Sequence, residues 1–280
     1  MWSVPLRKSH IPTFIFTDTS STCPVVLVSN RNCLVHRRNL HQSKPFKQSK
    51  LIMSQQIKTL IDRPKSMSYD AVLDFLLQKN QQFQRGMETG AIIENETLPE
   101  YRQSLAQGGQ KPVATIVTCC DSRVIPEVIF QQGFGKLFTV RTAGSLVSSP
   151  TVLGSIQFGV ENFATPLLMV MGHTECGAAI TGWNLCCHEK DRIEQLSPAL
   201  RSLIDPMAPL VESIQSQYQN ISTSEASKHL AEAIAKDAVK TILRELPSLR
   251  NLQATHKLGI VSALYDLHEG NVIVLEKSWQ

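Results

Sequence analysis

Three short apolar runs, each followed by a helical pattern, constrain this chain more than any other feature. Val113–Thr118, Leu137–Arg141 and Leu167–Met171 are the length of buried strands. A helix with Pro126 near its start follows the first run. Thr151–Asn162, presenting Leu153, Ile156 and Val160 on one face, follows the second, and a helix from Gly177 follows the third. Strands alternating with helices at this spacing predict an α/β fold with a mostly parallel sheet. Upstream, Ser68 is placed to cap a helix whose inner face is Val72, Phe75, Leu76 and Phe83, with Gly86 as its stop. A short helix is predicted to open at Thr97, with Pro99 in its first turn. Downstream, Met207–Tyr218 and Glu225–Leu246 read as amphipathic helices. Gly259–Leu267 and Val272–Leu275, around the turn His268-Glu269-Gly270-Asn271, read as a closing hairpin.

Charge divides the chain in two. Residues 1–52 hold eight basic side chains and one acid, Asp18, whereas the whole chain has 28 basic and 24 acidic groups. The remainder, 53–280, therefore carries 20 basic and 23 acidic groups, a net of −3. That balance excludes an electrostatic nucleic-acid binder. The basic, Ser- and Asn-rich leader suits an organellar transit peptide, placing the protein in a chloroplast or mitochondrion. The alternative is that Met53 is the true start, which implies the cytoplasm. No apolar run approaches the ~18 residues of a membrane-spanning helix. Seven cysteines, an odd number with two adjacent pairs, read as thiols for metal or reactivity in a reducing compartment.

Cys119 closes the first strand region, and His173 and Cys176 follow the third. Ligands of open α/β sheets gather outside the carboxyl ends of strands, where strand order reverses. If the first and third strands are neighbours, as in a 2-1-3 order, the three side chains converge, and the second strand brings Arg141 to the rim. Two thiolates and one imidazole suit Zn2+, and three protein ligands leave a fourth tetrahedral position open, as in catalytic sites. Gly172 and Gly177 bracket His173-Thr174-Glu175-Cys176 and are expected to give the tight turn that aims both ligands at one metal. Any one of these residues alone reads as a buried thiol or a hydrogen-bonded histidine; the metal reading rests on all three. Cys186-Cys187-His188, a run without a metal-competent partner elsewhere, reads as ordinary sequence. His229, His256 and His268 are expected on helix or turn surfaces, and the sequence selects none of them as a proton shuttle.

Cys119-Cys120-Asp121-Ser122-Arg123 resembles the Cys-x-Asp-x-Arg motif of β-class carbonic anhydrases, and His173-Thr174-Glu175-Cys176-Gly177 resembles their His-x-x-Cys-Gly motif. Val140-Arg141-Thr142-Ala143-Gly144 is similar to the segment between those motifs, with Ser145 where many members carry Asn. Gly259–Leu267 is similar to their last sheet region. The resemblance implies a sheet of order 2-1-3-4 with a fifth strand at its edge, an N-terminal helical arm, and a homodimer, or a higher oligomer built from dimers, whose N-terminal helices wrap the partner. It implies a catalytic domain over 53–280, one zinc per subunit on Cys119, His173 and Cys176, and a catalytic dyad of Asp121 and Arg123. The implied reaction is reversible hydration of carbon dioxide to bicarbonate and a proton, by attack of zinc-bound hydroxide on CO2. Zinc brings the pKa of water to around 7. Arg123 is suited to grip Asp121 in a bidentate pair, and Asp121 to orient the attacking group. A carbonyl sulfide or carbon disulfide hydrolase shares these motifs. A catalytically silent binding subunit would be marked by a lost ligand or dyad residue, and none is lost here.

Overall fold

The computed structural model describes residues 67–86 and 99–279. The expected leader 1–52, the start at Met53 and the helix opening at Thr97 lie outside the described residues. Ser68 Oγ accepts from the backbone N–H of Ala71 at 3.3 Å and so caps α1, Tyr69–Gln84. That helix buries Val72, Leu73 and Leu76, and Gly86 follows it with φ +67°. Phe75 and Phe83 pack at the edge of the same cluster, only partly buried. A second helix, α2 (Pro99–Gly108), leads into the sheet.

The five strands are β1 (Ala114–Cys119), β2 (Leu137–Thr142), β3 (Leu167–His173), β4 (Gly259–Tyr265) and β5 (Val272–Lys277), in the order β2-β1-β3-β4-β5. The first four pair in parallel and β5 runs antiparallel to β4. The helices between them are α3 (Pro126–Ile129), α4 (Pro150–Phe163), α5 (Gly177–His188), α6 (Lys190–Ile193), α7 (Pro198–Ile204), α8 (Ala208–Gln217), α9 (Thr223–Glu245) and α10 (Pro247–Ala254). None of the helices among the described residues is long and apolar enough to cross a membrane.

β1, β3 and β4 are buried along their whole lengths, as parallel strands covered on both faces must be. Alternate residues serve different cores. Ile116, Met169 and Met171 pack with α1, whereas Val117, Leu168 and Val170 pack with Ile156 and Val160 of α4 and Ala235 and Val239 of α9. α9 lies close on β3. A Cβ at Gly172 would stand 2.8 Å from the Ala231 carbonyl oxygen, so only glycine admits the helix one residue before His173.

The strands run slightly past their expected ends, so Cys119 and His173 are the last residues of β1 and β3. The expected helix over Met207–Tyr218 is shorter, because Asp205–Met207 forms a 3-10 turn ahead of α8. α9 starts two residues before the expected Glu225. Ser222 Oγ accepts from the Glu225 N–H at 3.2 Å while the Glu225 carboxylate accepts from the Ser222 N–H, a reciprocal cap. α9 ends at Glu245, one residue short of the expected Leu246, and Pro247 opens α10. The hairpin turn is longer than expected, from Asp266 to Asn271, with the Asp266 N–H donating to the Asn271 carbonyl. Asn80, buried on α1, anchors it: its Nδ2 donates to the Gly270 carbonyl at 2.8 Å and its Oδ1 accepts from the Val272 N–H at 2.9 Å.

Candidate metal centre

The crevice between the carboxyl ends of β1 and β3 holds the site. Thr118 pairs with Met171 across the two strands, so Cys119 and His173 leave the sheet side by side. Cys176 caps the start of α5. The ligand atoms of Cys119, His173 and Cys176 all lie within 4.8 Å of one another, and all three residues are buried. The two sulfurs are 4.0 Å apart. Leu146, Ala179, Trp183 and Met207 pack around them.

The imidazole is oriented by its own backbone. His173 Nδ1 lies 2.9 Å from the Thr174 carbonyl, which only accepts, so Nδ1 carries the proton and Nε2 presents its lone pair. Nε2 is fully buried and has no hydrogen-bond partner. An orphaned buried nitrogen beside two sulfurs costs free energy that a bound cation relieves. The donor set, two sulfurs and one imidazole nitrogen, is that of zinc.

The sulfurs are already polarised. The hydrogen bond from the Cys176 thiol, with help from the Gly144 N–H at 3.4 Å, lowers the Cys119 pKa and favours its thiolate. The same hydrogen bond, together with burial, raises that of Cys176. Gly144 is fitted to this place by conformation and space. Its φ is +67°, and a Cβ there would stand 3.2 Å from Met207 Cε and 3.3 Å from Ala178 Cβ.

Asp121 and Arg123 sit at the mouth. Arg123 Nε donates to Asp121 Oδ1 at 3.0 Å and Nη2 donates to Oδ2 at 2.7 Å; the Arg123 backbone N–H adds a third bond to Oδ1 at 2.9 Å. These bonds hold the Asp121 carboxyl well below the usual carboxylate range. Asp121 Oδ2 lies 4.0 Å from His173 Nε2, beyond hydrogen-bond distance, so the carboxylate stands beside the imidazole while it stays paired with Arg123. Cys120, the next residue after Cys119, is exposed.

Three features of the site were not read from the sequence. Arg141 does more than reach the rim: its Nε donates to the Cys119 carbonyl at 3.0 Å and Nη2 to the Asp121 carbonyl at 2.6 Å. The tight turn between the ligands falls on Glu175, with φ +53°, and not on the bracketing glycines, neither of which has a positive φ. The sequence carried no sign of this, since a non-glycine residue in that conformation is uncommon. Ser145, also at positive φ, donates through Oγ to the Met171 carbonyl at 3.0 Å, fixing the loop after β2 against β3. Cys186, buried on α5, and the partly buried Cys187 have their pKa raised by burial. Among the described residues the grouping of metal-competent side chains is Cys119, His173 and Cys176.

A mostly parallel α/β sheet that gathers two thiols and an imidazole at its strand ends defines an α/β protein with a group of side chains fit to hold a metal ion. A family model described as carbonic anhydrase matches residues 114–272. Carbonic anhydrase 2 of Mycobacterium tuberculosis is 33% identical over 183 residues, covering 62% of this chain and 79% of the relative. The chain belongs to the carbonic anhydrase family, in its β class. The fold agrees with two solved structures. The β-carbonic anhydrase CafA of Aspergillus fumigatus is 24% identical with a TM-score of 0.55, covering 64% of this chain and 81% of that one. A tetrameric β-carbonic anhydrase from Sordaria macrospora is 20% identical with a TM-score of 0.58, covering 67% and 92%.

Proposed function

We propose that this chain catalyses the reversible hydration of carbon dioxide to bicarbonate and a proton, with Cys119, His173 and Cys176 holding zinc and Asp121 with Arg123 forming the catalytic dyad. The observation that carries this reading is the partnerless, buried Nε2 of His173, set among two sulfurs and faced by a carboxylate. Zinc bound there supplies Lewis acidity that makes hydroxide available from water near neutral pH.

The chain's own residues account for the rest. Arg123, with both nitrogens and its backbone N–H on one carboxylate, keeps Asp121 ionised and fixed in direction. Asp121 Oδ2 accepts the proton side of the attacking water or hydroxide and turns its lone pair toward the carbon of CO2. Fixed acceptors of this kind reorganise little during reaction, which is why they lower the barrier. The Gly144 N–H steadies the Cys119 sulfur, and Leu146, Trp183 and Met207 restrict bulk water around the ligands.

Zinc content and CO2 hydration of Asp121→Asn and Arg123→Ala test the reading. Both variants are expected to keep their zinc, since no ligand is touched, and to lose about 100-fold or more in turnover. Near-normal hydration by either zinc-loaded variant overturns the dyad. Faster turnover of carbonyl sulfide or carbon disulfide than of CO2 by the unaltered protein would reassign the substrate.

The homodimer belongs to this proposal too. Among the described residues the outer edge of β2 has no neighbouring strand, and Phe158 of α4, 53% exposed, clusters with Phe138 and Phe163 beside it. Exposed strand edges flanked by aromatic side chains invite pairing with a second copy. Light scattering on the purified protein gives the subunit number, and a monomer at micromolar concentration would rule the dimer out.

A further inference from the structure

The turn between β4 and β5 is tied to the segment His173–Cys176 at three points. The Thr174 N–H donates to the Tyr265 carbonyl at 3.0 Å, and the Leu267 N–H donates to Thr174 Oγ1 at 2.9 Å. The third tie joins side chains 93 residues apart: His268 Nε2 lies 2.8 Å from Glu175 Oε1. Asp266 holds His268 in place by accepting from its backbone N–H at 2.8 Å. Glu175 is the residue with φ +53° between the ligands, and its carbonyl accepts from Arg123 Nη2 at 3.2 Å. Both ends of Glu175 are therefore engaged, the backbone by the arginine that grips Asp121 and the side chain by the turn.

We propose that His268 is a positioning residue for this reaction: by holding the Glu175 side chain it fixes the left-handed turn whose carbonyl sets the orientation of Arg123. A glutamate gains nothing intrinsic from that conformation, which L-residues rarely adopt, so external contacts must hold it. An exposed ion pair contributes little to global stability. Its role here is geometric, because it bears on the one residue that both links two ligands and touches the dyad. Neither side chain touches the reacting atoms.

The inference rests on the dyad assignment, and the experiment separates the two. Variants His268→Ala, Glu175→Gln, their double, His268→Lys and Arg123→Ala are compared as zinc-loaded proteins at neutral pH. His268→Ala and Glu175→Gln are each expected to lower kcat about two- to five-fold with KM and zinc content unchanged. The double variant should be no worse than either single one, and His268→Lys, which restores a cation, should recover most of the loss. Solvent exchange of the Arg123 Nε–H, followed by NMR with and without metal, should quicken in His268→Ala and return toward normal in His268→Lys. A loss of stability alone would not move that signal. Unchanged kcat and unchanged Arg123 Nε–H exchange in His268→Ala overturn the positioning role, even when Arg123→Ala abolishes turnover. Losses that multiply in the double variant overturn it as well. If Arg123→Ala turns over normally, the dyad fails, and the exchange measurement alone decides whether His268 orders Arg123.

Discussion

Arg141 reaches from β2 across to β1, its Nε donating to the Cys119 carbonyl at 3.0 Å and its Nη2 to the Asp121 carbonyl at 2.6 Å. One guanidinium thus spans the residue that ends β1 and the residue that faces the ligands. The fork geometry is specific to arginine, because a lysine offers one point charge. Arg141→Lys is expected to cost about 1.5 kcal/mol of stability. It should also lower kcat about tenfold or more by loosening the loop. Urea unfolding beside CO2 hydration measures both, and unaltered kcat would show that the loop holds itself.

The two adjacent thiols should separate cleanly. Cys119 is buried and within ligand distance of Cys176, whereas Cys120 is exposed. Cys119→Ser should lose most of its zinc and Cys120→Ser should keep it. Metal analysis of the two purified variants decides the assignment, and the reverse pattern would move the ligand to Cys120.

Asp266 makes the stability of the β4–β5 turn depend on pH. The backbone N–H groups of Glu269 and His268 hold its carboxyl below the usual carboxylate range. A carboxylate whose folded pKa is depressed stabilises the fold above its unfolded value, about 3.9, and loses that contribution as pH falls through the folded value. The stability gap between the unaltered protein and Asp266→Ala should therefore hold level from about pH 5 upward and close toward pH 3. Urea midpoints at three pH values test this. A gap that widened in acid would mean that Asp266 is opposed, not supported, by its surroundings.

A chain beginning at Met53 should bind zinc and hydrate CO2 as the full chain does. Residues 1–52 are basic and lack the apolar periodicity needed to dock on a core. The matched family region, 114–272, lies wholly downstream. Zinc content and turnover of the two lengths are the measurements, and a large loss on truncation would place the leader in the working fold.

The parts of this molecule that follow from local pattern were legible in the sequence. Buried runs gave β1, β2 and β3, and the residues at the ends of β1 and β3 carried the ligand types. Once those strands are neighbours, the approach of Cys119, His173 and Cys176 follows from their positions. What escaped notice depends on contacts distant in sequence. The Arg141 bonds to two carbonyls and the His268–Glu175 pair leave no periodic trace, since each joins residues 20 or more positions apart that no local pattern links. The short helices α6, α7 and α10 escaped because one or two turns span too few residues to show a face. The cap of α9 was different: Ser222 and Glu225 spelled it out three residues apart, and it was there to be read.

The pairing of Thr118 with Met171 has a mechanical consequence. Cys119 and His173 are each the next residue or the next but one along two central strands, so the gap between their ligand atoms is set by ladder spacing and not by the tension of a loop. Loop-borne sites breathe with local fraying, which costs little free energy, whereas central strands part only in openings that approach global unfolding. The separation of Cys119 and His173 should therefore persist through the ordinary fluctuations of the surface around it, leaving Cys176, carried by the turn before α5, as the ligand free to move.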